Sequence, residues 1–412
     1  MATVLAYTSP ALGHLLPMSA LLSELSGRGH SIHVRTLADG VDLAETLGFG
    51  ATAIDPRIEE IELDDWKAPN PRAALKVGVA AFGRRASHEI GDLTRAIAAV
   101  APDAVLIDAN CWGAQSHAEA SGIRWASFLP YPPPLNSAGV PPFGLGLRPL
   151  PGVVGRVRDA AVRRTVTRLL ENVMLGPINE VRADVGVAPV ASMDEFLRRA
   201  ELILVATGKP FQYPQTDWGD SVQMIGPCVL DQGPGEVPDW LTAIDRPIVL
   251  VTTSSERQAD TTLVLTALAA LADEPVHVVA TMPAGQPDDI AAPPNATVRR
   301  FVPHSVVLDR AVCAVTHGGM GATQKALARG LPVCVVPFGR DQLEVARRVE
   351  VAQCGTRLPA RRLSAPRLRA KVLQSMTMTA GAQRVAAGFA STGGVARGAD
   401  LFERRVLGLP DD

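Results

Sequence analysis

The stretch from Thr316 to Gln342 holds the chain's densest set of residues able to do chemistry. Thr316-His317-Gly318-Gly319-Met320-Gly321-Ala322-Thr323 follows a short apolar run and leads into a helical pattern through Arg329. Glycines at a strand-to-helix turn let the backbone approach a ligand, and free amides at a helix start suit a diphosphate. His317 adds a side-chain donor at the same turn. After the next apolar run comes Pro337-Phe338-Gly339-Arg340-Asp341-Gln342, whose carboxylate and amide suit sugar hydroxyls. The glycines alone could simply make a tight turn, and Asp341 could simply cap a helix. The ordered set of glycines, histidine, carboxylate and amide points instead to a nucleotide sugar. No GxGxxG follows a strand and no P-loop pattern is present, so dinucleotide and P-loop readings lose their main support.

A second set lies in the first third of the chain. His14 follows the first apolar run, in Gly13-His14-Leu15-Leu16-Pro17, and Asp108 ends the run Ala104–Asp108. An imidazole titrates near neutral pH and can take the proton of a hydroxyl. A carboxylate beside it could orient the ring and stabilise its cation. The plainer alternatives are a helix-start neighbour for His14 and a strand-end cap for Asp108. The two side chains can meet only if their strands lie in one parallel sheet.

The elements that must position these residues follow from the alternation of apolar runs and amphipathic stretches, the pattern of parallel sheets covered by helices. Strands are expected at Thr3–Tyr7, Ser31–Arg35, Ala104–Asp108, Trp125–Leu129, Leu202–Ala206 and Val222–Ile225, with a helix over Leu16–Arg28. Pro130–Pro134 and Val140–Pro151 read as an irregular surface loop, followed by helices through about Glu180. A Pro/Gly break at 227–238 reads as a linker, after which strands recur at Ile248–Thr253, Val276–Ala280, Val298–Phe301, Ala314–Thr316 and Val333–Val336. Two α/β halves joined by a linker imply two Rossmann-like domains facing across a cleft. Ligands of such sheets bind beyond the carboxyl ends of the strands.

Composition narrows the partners. A formal charge of −2 over 412 residues argues against binding through a nucleic-acid backbone. The cluster Arg156, Arg158, Arg163, Arg164 and Arg168 reads as one solvated helix face. Five scattered cysteines without CxxC spacing fit a reducing cytoplasm better than a disulfide framework. The first residues lack the basic start of a signal peptide, and no apolar run reaches membrane-spanning length.

Phe301-Val302-Pro303-His304, Thr316-His317-Gly318-Gly319, Gly330-Leu331-Pro332 and Asp341-Gln342, in that order, resemble the donor signature of the GT-B glycosyltransferases of family 1, of the bacterial macrolide and antibiotic type. The resemblance spans nearly the whole chain, including Gly13-His14. It implies an α/β GT-B fold: an acceptor domain over 1–226, a donor domain over 239–395, and a C-terminal helix within 396–412 packing back on the first domain. It implies inverting transfer of a sugar from a nucleoside diphosphate sugar to a hydroxyl of an apolar aglycone, through a dyad of His14 and Asp108. His317, Gly318, Gly319 and the helix start Gly321-Ala322-Thr323 would hold the pyrophosphate, Asp341 and Gln342 the sugar, and Phe301-Val302 the base. The nucleotide sugar is a substrate, and neither a metal nor another cofactor is expected.

Two departures bear on the donor. Many relatives carry a glycine in the turn after the first strand of the second half, where this chain has Thr252-Thr253-Ser254-Ser255; the hydroxyls of Ser254 and Ser255 could still reach phosphate. UDP-glucose users often carry a glutamate for the ribose hydroxyls where Lys325 stands, and a lysine cannot accept those hydrogen bonds. A deoxyribose lacks one of these hydroxyls, so a dTDP-sugar is favoured and a UDP-sugar stays open. Gly13, Phe128, Tyr131 and Phe143 could line an acceptor pocket, or the aromatics could only pack the loop. A sterol or lipid acceptor, a GT-B sugar-nucleotide epimerase and a non-catalytic helper protein are the rival readings. The last would be expected to lose His14 or Asp108.

Overall fold

A computed structural model describes residues 1–230, 237–285, 288 and 290–410. Of the expected linker, residues 231–236 lie outside the described residues. The first sheet has seven parallel strands: β1 (Thr3–Tyr7), β2 (Ser31–Thr36), β3 (Gly50–Ala53), β4 (Ala104–Asp108), β5 (Trp125–Leu129), β6 (Leu202–Val205) and β7 (Val222–Met224). Their order is β3-β2-β1-β4-β5-β6-β7. The second has six: β8 (Ile248–Thr252), β9 (His277–Thr281), β10 (Ala296–Arg299), β11 (Ala311–Thr316), β12 (Val333–Val335) and β13 (Gly355–Arg357), in the order β10-β9-β8-β11-β12-β13. The central strands β4, β5, β6 and β8 are buried along their whole length, because helices cover both faces of each sheet.

The order reverses beside β1 and β4 in the first sheet and beside β8 and β11 in the second. These are the points where connections leave on opposite faces and a crevice opens at the strand ends. Tyr7 pairs with Ile107, so the turn after β1 and the end of β4 share one edge.

Several elements differ from the sequence expectation. The first helix runs Leu12–Gly27 and so includes Gly13 and His14 in its opening turn. Those residues are exposed or half-buried and carry no apolar periodicity. β3 and β13 were not expected. Gly50-Ala51-Thr52-Ala53 has no apolar run, and Gly355-Thr356-Arg357 is three residues long. A Cβ at Gly355 would lie 1.8 Å from the Val333 carbonyl oxygen, so this edge strand exists through close backbone approach. The helices expected to about Glu180 are one helix, Gly152–Asp184, with Pro177 inside it. The preceding loop is irregular, as expected, and only partly at the surface: Leu145, Arg148 and Leu150 are exposed, while Pro130, Leu135, Val140 and Gly146 are buried. On the arginine face, Arg156, Arg164 and Arg168 are exposed, while Arg163 donates to Asn136 and to the Val140 carbonyl.

The helix Gly394–Phe402 lies against the first domain, where Ala399, Leu401 and Phe402 share a core cluster with Val4 and Leu21. Arg28 fixes its polar edge through Asp400 at 2.6 Å and Glu403 at 2.7 Å. All five cysteines are buried and free. Among the described residues no helix is long and apolar enough to cross a membrane.

Candidate active site

Adjacency of β1 and β4 brings His14 and Asp108 together. Asp108 has no exposed surface, and its Oδ2 lies 2.5 Å from His14 Nδ1. The carboxylate also accepts the Ser9 hydroxyl at 3.3 Å and the Asn110 N–H at 2.8 Å. With Nδ1–H given to the carboxylate, Nε2 is the nitrogen left for a substrate proton. Burial lowers the affinity of His14 for a proton. The Asp108 carboxylate, by charge and hydrogen bond, outweighs that with help from Glu256 and Asp341, and the imidazole titrates above its ordinary value. Glu256 and Asp341 belong to the second domain, so the dyad faces it across the cleft.

Tyr131 leans on this pair, its ring centroid 5.8 Å from that of His14 at an interplanar angle of 56°. Its hydroxyl donates to Asn110 Oδ1 at 2.8 Å, and burial keeps it in the neutral form. Gly13 is exposed, and a Cβ there would meet nothing within 4 Å. Phe143 is half-buried in the same loop. Phe128 is a correction to the acceptor set: it is fully buried in the core cluster with Leu15 and Leu204. It follows Ser127 on a strand whose residues alternate faces, and its ring points into the sheet's own core rather than the cleft.

The opposite wall is the turn after β11. Gly318 has φ +98° and donates its N–H to Thr316 Oγ1 at 3.2 Å; that hydroxyl is bonded in turn to Thr323 Oγ1 at 3.0 Å. The fully buried Thr323 side chain therefore holds the turn rather than facing a ligand. Gly319 precedes the helix Met320–Ala328, whose first three N–H groups have no partner within the helix. Gly321 is exposed and open, and Ala322 is half-buried. His317 is 7% exposed, burial lowers it to about 4, and its Nδ1 has no hydrogen-bond partner. The ring nitrogen at the helix start is Nε2, 2.5 Å from where a Cβ on Gly319 would sit, and a neutral N–H beside free amides fits an anionic oxygen. A neutral imidazole supplies a hydrogen bond there and not a charge.

Gly318→Ala would place a Cβ 2.9 Å from Gln342 Cβ and 3.1 Å from Val335 Cγ1, in a left-handed conformation. The expected result is a loss of about 1–3 kcal/mol in denaturant unfolding. A variant as stable as the parent would show that the turn relaxes freely.

The remaining donor candidates divide. Phe301 is 67% exposed and free to lie against a planar group, whereas Val302 is buried in core contact with Leu250 and Val307. Burial raises Asp341 to about 6, against the opposing pull of a backbone hydrogen bond, His14 and Arg340. Gln342, expected on the sugar, is 2% exposed with its amide already engaged. Its Oε1 accepts from Phe338 N–H at 2.7 Å and Gly339 N–H at 3.1 Å, and its Nε2 donates to Gln258 at 2.7 Å. It shapes the loop that presents Asp341. Ser254 is likewise turned inward, its N–H on Asp260 at 2.7 Å and its hydroxyl accepting from Glu256 N–H at 3.1 Å. Ser255 is the exposed member of the pair. His304 bonds Thr281 at 3.0 Å, and burial, with Lys325 and His317, lowers it to about 4.

Sequence reasoning missed the charges that join the walls. Arg340, at φ +51°, grips Asp65 of the first domain through Nε at 3.0 Å and a terminal nitrogen at 2.8 Å, and donates to Glu256 with its other arm. Its place beside Asp341 was the available signal. Ser9 and Asn110 gave none beyond their nearness to strand ends.

Two parallel-sheet domains with a His–Asp pair on one wall and a glycine-rich helix start on the other define a protein of the GT-B fold. Residues 262–395 match the model of the erythromycin biosynthesis protein CIII-like C-terminal domain. The chain is similar to 4'-demethylrebeccamycin synthase of Lentzea aerocolonigenes, at 29% identity over 98% of this chain and 100% of that protein. Among solved structures it is similar to the kitacinnamycin glycotransferase (24% identity, 99% of each chain, TM-score 0.74). It also resembles the glycosyltransferase VinC (22%, 98% of this chain and 99% of that one, TM-score 0.72). These likenesses support a resemblance to the GT-B glycosyltransferases of family 1, of the bacterial macrolide and antibiotic type.

Proposed function

We propose that this chain is an inverting hexosyltransferase that moves a sugar from a nucleoside diphosphate sugar to a hydroxyl of an apolar natural-product aglycone. The observation that carries the reading is the 2.5 Å His14–Asp108 pair, whose charge environment includes Asp341 of the opposite domain. His14 Nε2 takes the acceptor proton while the acceptor oxygen attacks the anomeric carbon on the face away from the diphosphate. The bond to the diphosphate breaks and its electron pair leaves with that group. The free amides of Met320, Gly321 and Ala322, with the neutral His317 imidazole, suit the leaving oxygens. One displacement inverts the anomeric centre. The proton passes to an imidazole that Asp108 stabilises as a cation.

Lys325 on the helix beside the turn supports a dTDP donor, since it has no acceptor for a ribose hydroxyl. VinC, of the same fold, was solved with dTDP. Turnover with dTDP-glucose is expected to exceed that with UDP-glucose at equal concentration, and a strong UDP preference would overturn the donor assignment. The five buried free thiols support a cytoplasmic setting.

A further inference from the structure

Glu344 lies one turn past Asp341 in the helix Gln342–Val351, 3% exposed, in a part of the cleft that the chemistry above does not use. Its Oε1 accepts two backbone N–H groups from the first domain, Gly144 at 2.9 Å and Gly146 at 2.8 Å. Its Oε2 accepts Arg348 at 2.8 Å. Arg347 Nε completes the grip by donating to the Gly146 carbonyl at 2.7 Å. Gly146 stands at φ +54°, and a Cβ on it would lie 2.4 Å from the Leu343 carbonyl oxygen. Arg348 is braced in turn on Gln212 at 2.6 Å and over the Tyr213 ring at 4.6 Å, both of the first domain.

A buried carboxylate that spends one oxygen on the bare backbone of a distant loop is specific to that loop's position. The same loop begins at Pro130 and carries Tyr131, which leans on His14, then Phe143, and then Leu145, which is 48% exposed. Its start is tied to the dyad through Asn110 and its end to the helix that follows Asp341. The loop thus spans from the base on one wall to the carboxylate on the other.

We propose that Glu344 is an acceptor-positioning residue. Its carboxylate fastens Phe143–Gly146 to the donor domain, so the apolar wall against the aglycone is complete only while the two domains are closed. The inference rests on the glycosyl-transfer reading. Acceptor affinity then depends on a contact made by the donor domain, and a donor nucleotide that favours closure strengthens the acceptor site.

Hydrogen exchange of residues 140–150, with and without dTDP, tests the clasp, and kinetics test its role. Glu344→Ala and Gly146→Ala should both speed exchange in that segment, while Glu344→Gln, which keeps an oxygen for the two amides but loses the acceptor for Arg348, should fall between them and the parent. With the aglycone best used by the parent, Glu344→Ala should raise acceptor KM about tenfold or more and leave donor KM unchanged. Added dTDP should slow exchange in the parent and not in Glu344→Ala. Unchanged exchange at 140–150 in both alanine variants, or an equal rise in both KM values, would overturn the proposal. A parent that transfers sugar to no acceptor would sink the glycosyl-transfer reading, while exchange still decides the clasp.

Discussion

His14→Ala is expected to lower kcat by about 100-fold or more while leaving donor KM close to that of the parent. The imidazole feels the donor side through the charges of Glu256 and Asp341, and the turn after β11 that suits the diphosphate is built from other residues. Its loss therefore removes proton transfer and not donor binding. Activity should rise with pH as His14 loses its proton, and that limb should lie above the ordinary imidazole value because Asp108 raises it. Asp108→Asn removes the largest raising charge and leaves burial, which lowers, against the lesser pull of Glu256 and Asp341. The acid limb should then move to lower pH even as kcat falls, since the imidazolium formed in the reaction is no longer stabilised. A rate profile measured from pH 5 to 9 reads both shifts. If His14→Ala turned over at the parent's rate, the base would have to be another group. His317 and His304 are poor substitutes, because burial has lowered both to about 4 and both belong to the second domain.

What could be read from the sequence was what repeats locally. Apolar runs such as Ala104–Asp108 and Ile248–Thr252 are buried on both faces and therefore announce themselves. The glycine turn is legible because Gly318 needs a positive φ and its neighbours sit in fixed order beside it. β3 and β13 were not legible, for an edge strand of small or few residues has no periodicity to detect. Phe128 and Gln342 were misjudged for a common reason. Residue type says what a side chain could bind, but only the fold says which face it turns to and which partners have already taken it. Phe128 alternates into the core, and the Gln342 amide is consumed by Phe338, Gly339 and Gln258. Arg340 and Glu344 join the two domains, and contacts some 200 or more positions apart leave no local pattern in a single sequence.

Glu89→Gln is expected to stabilise the protein at neutral and alkaline pH and to flatten its stability profile. Glu89 belongs to the helix Pro71–Val100, is 2% exposed, and accepts the N–H groups of Gly113 at 2.9 Å and Ala114 at 3.4 Å. These open the helix Trp112–Ser121, which follows Asp108 by one short turn. Burial pushes the carboxyl up to about 8; the two N–H bonds and Arg85 pull the other way and do not compensate. A raised carboxyl binds its proton in the folded chain over a range where the unfolded chain has already released it. Stability from this group is therefore full below pH 4.5, falls by up to tenfold in the folding equilibrium per pH unit, and stops falling near pH 8. Glutamine copies the neutral acid, keeps an oxygen for both amides and cannot ionise. Denaturant midpoints for parent and variant should coincide near pH 4 and separate steadily towards pH 8. Turnover at pH 7 should change little, because Glu89 touches neither the dyad nor the donor turn. Glu89→Ala should destabilise at every pH, by about 1–3 kcal/mol for the stranded N–H groups. If instead the glutamine variant were the less stable at pH 8, the ionised carboxylate would have to be the form that holds the two amides. A second buried charge would then be held against the repelling charge of Asp108.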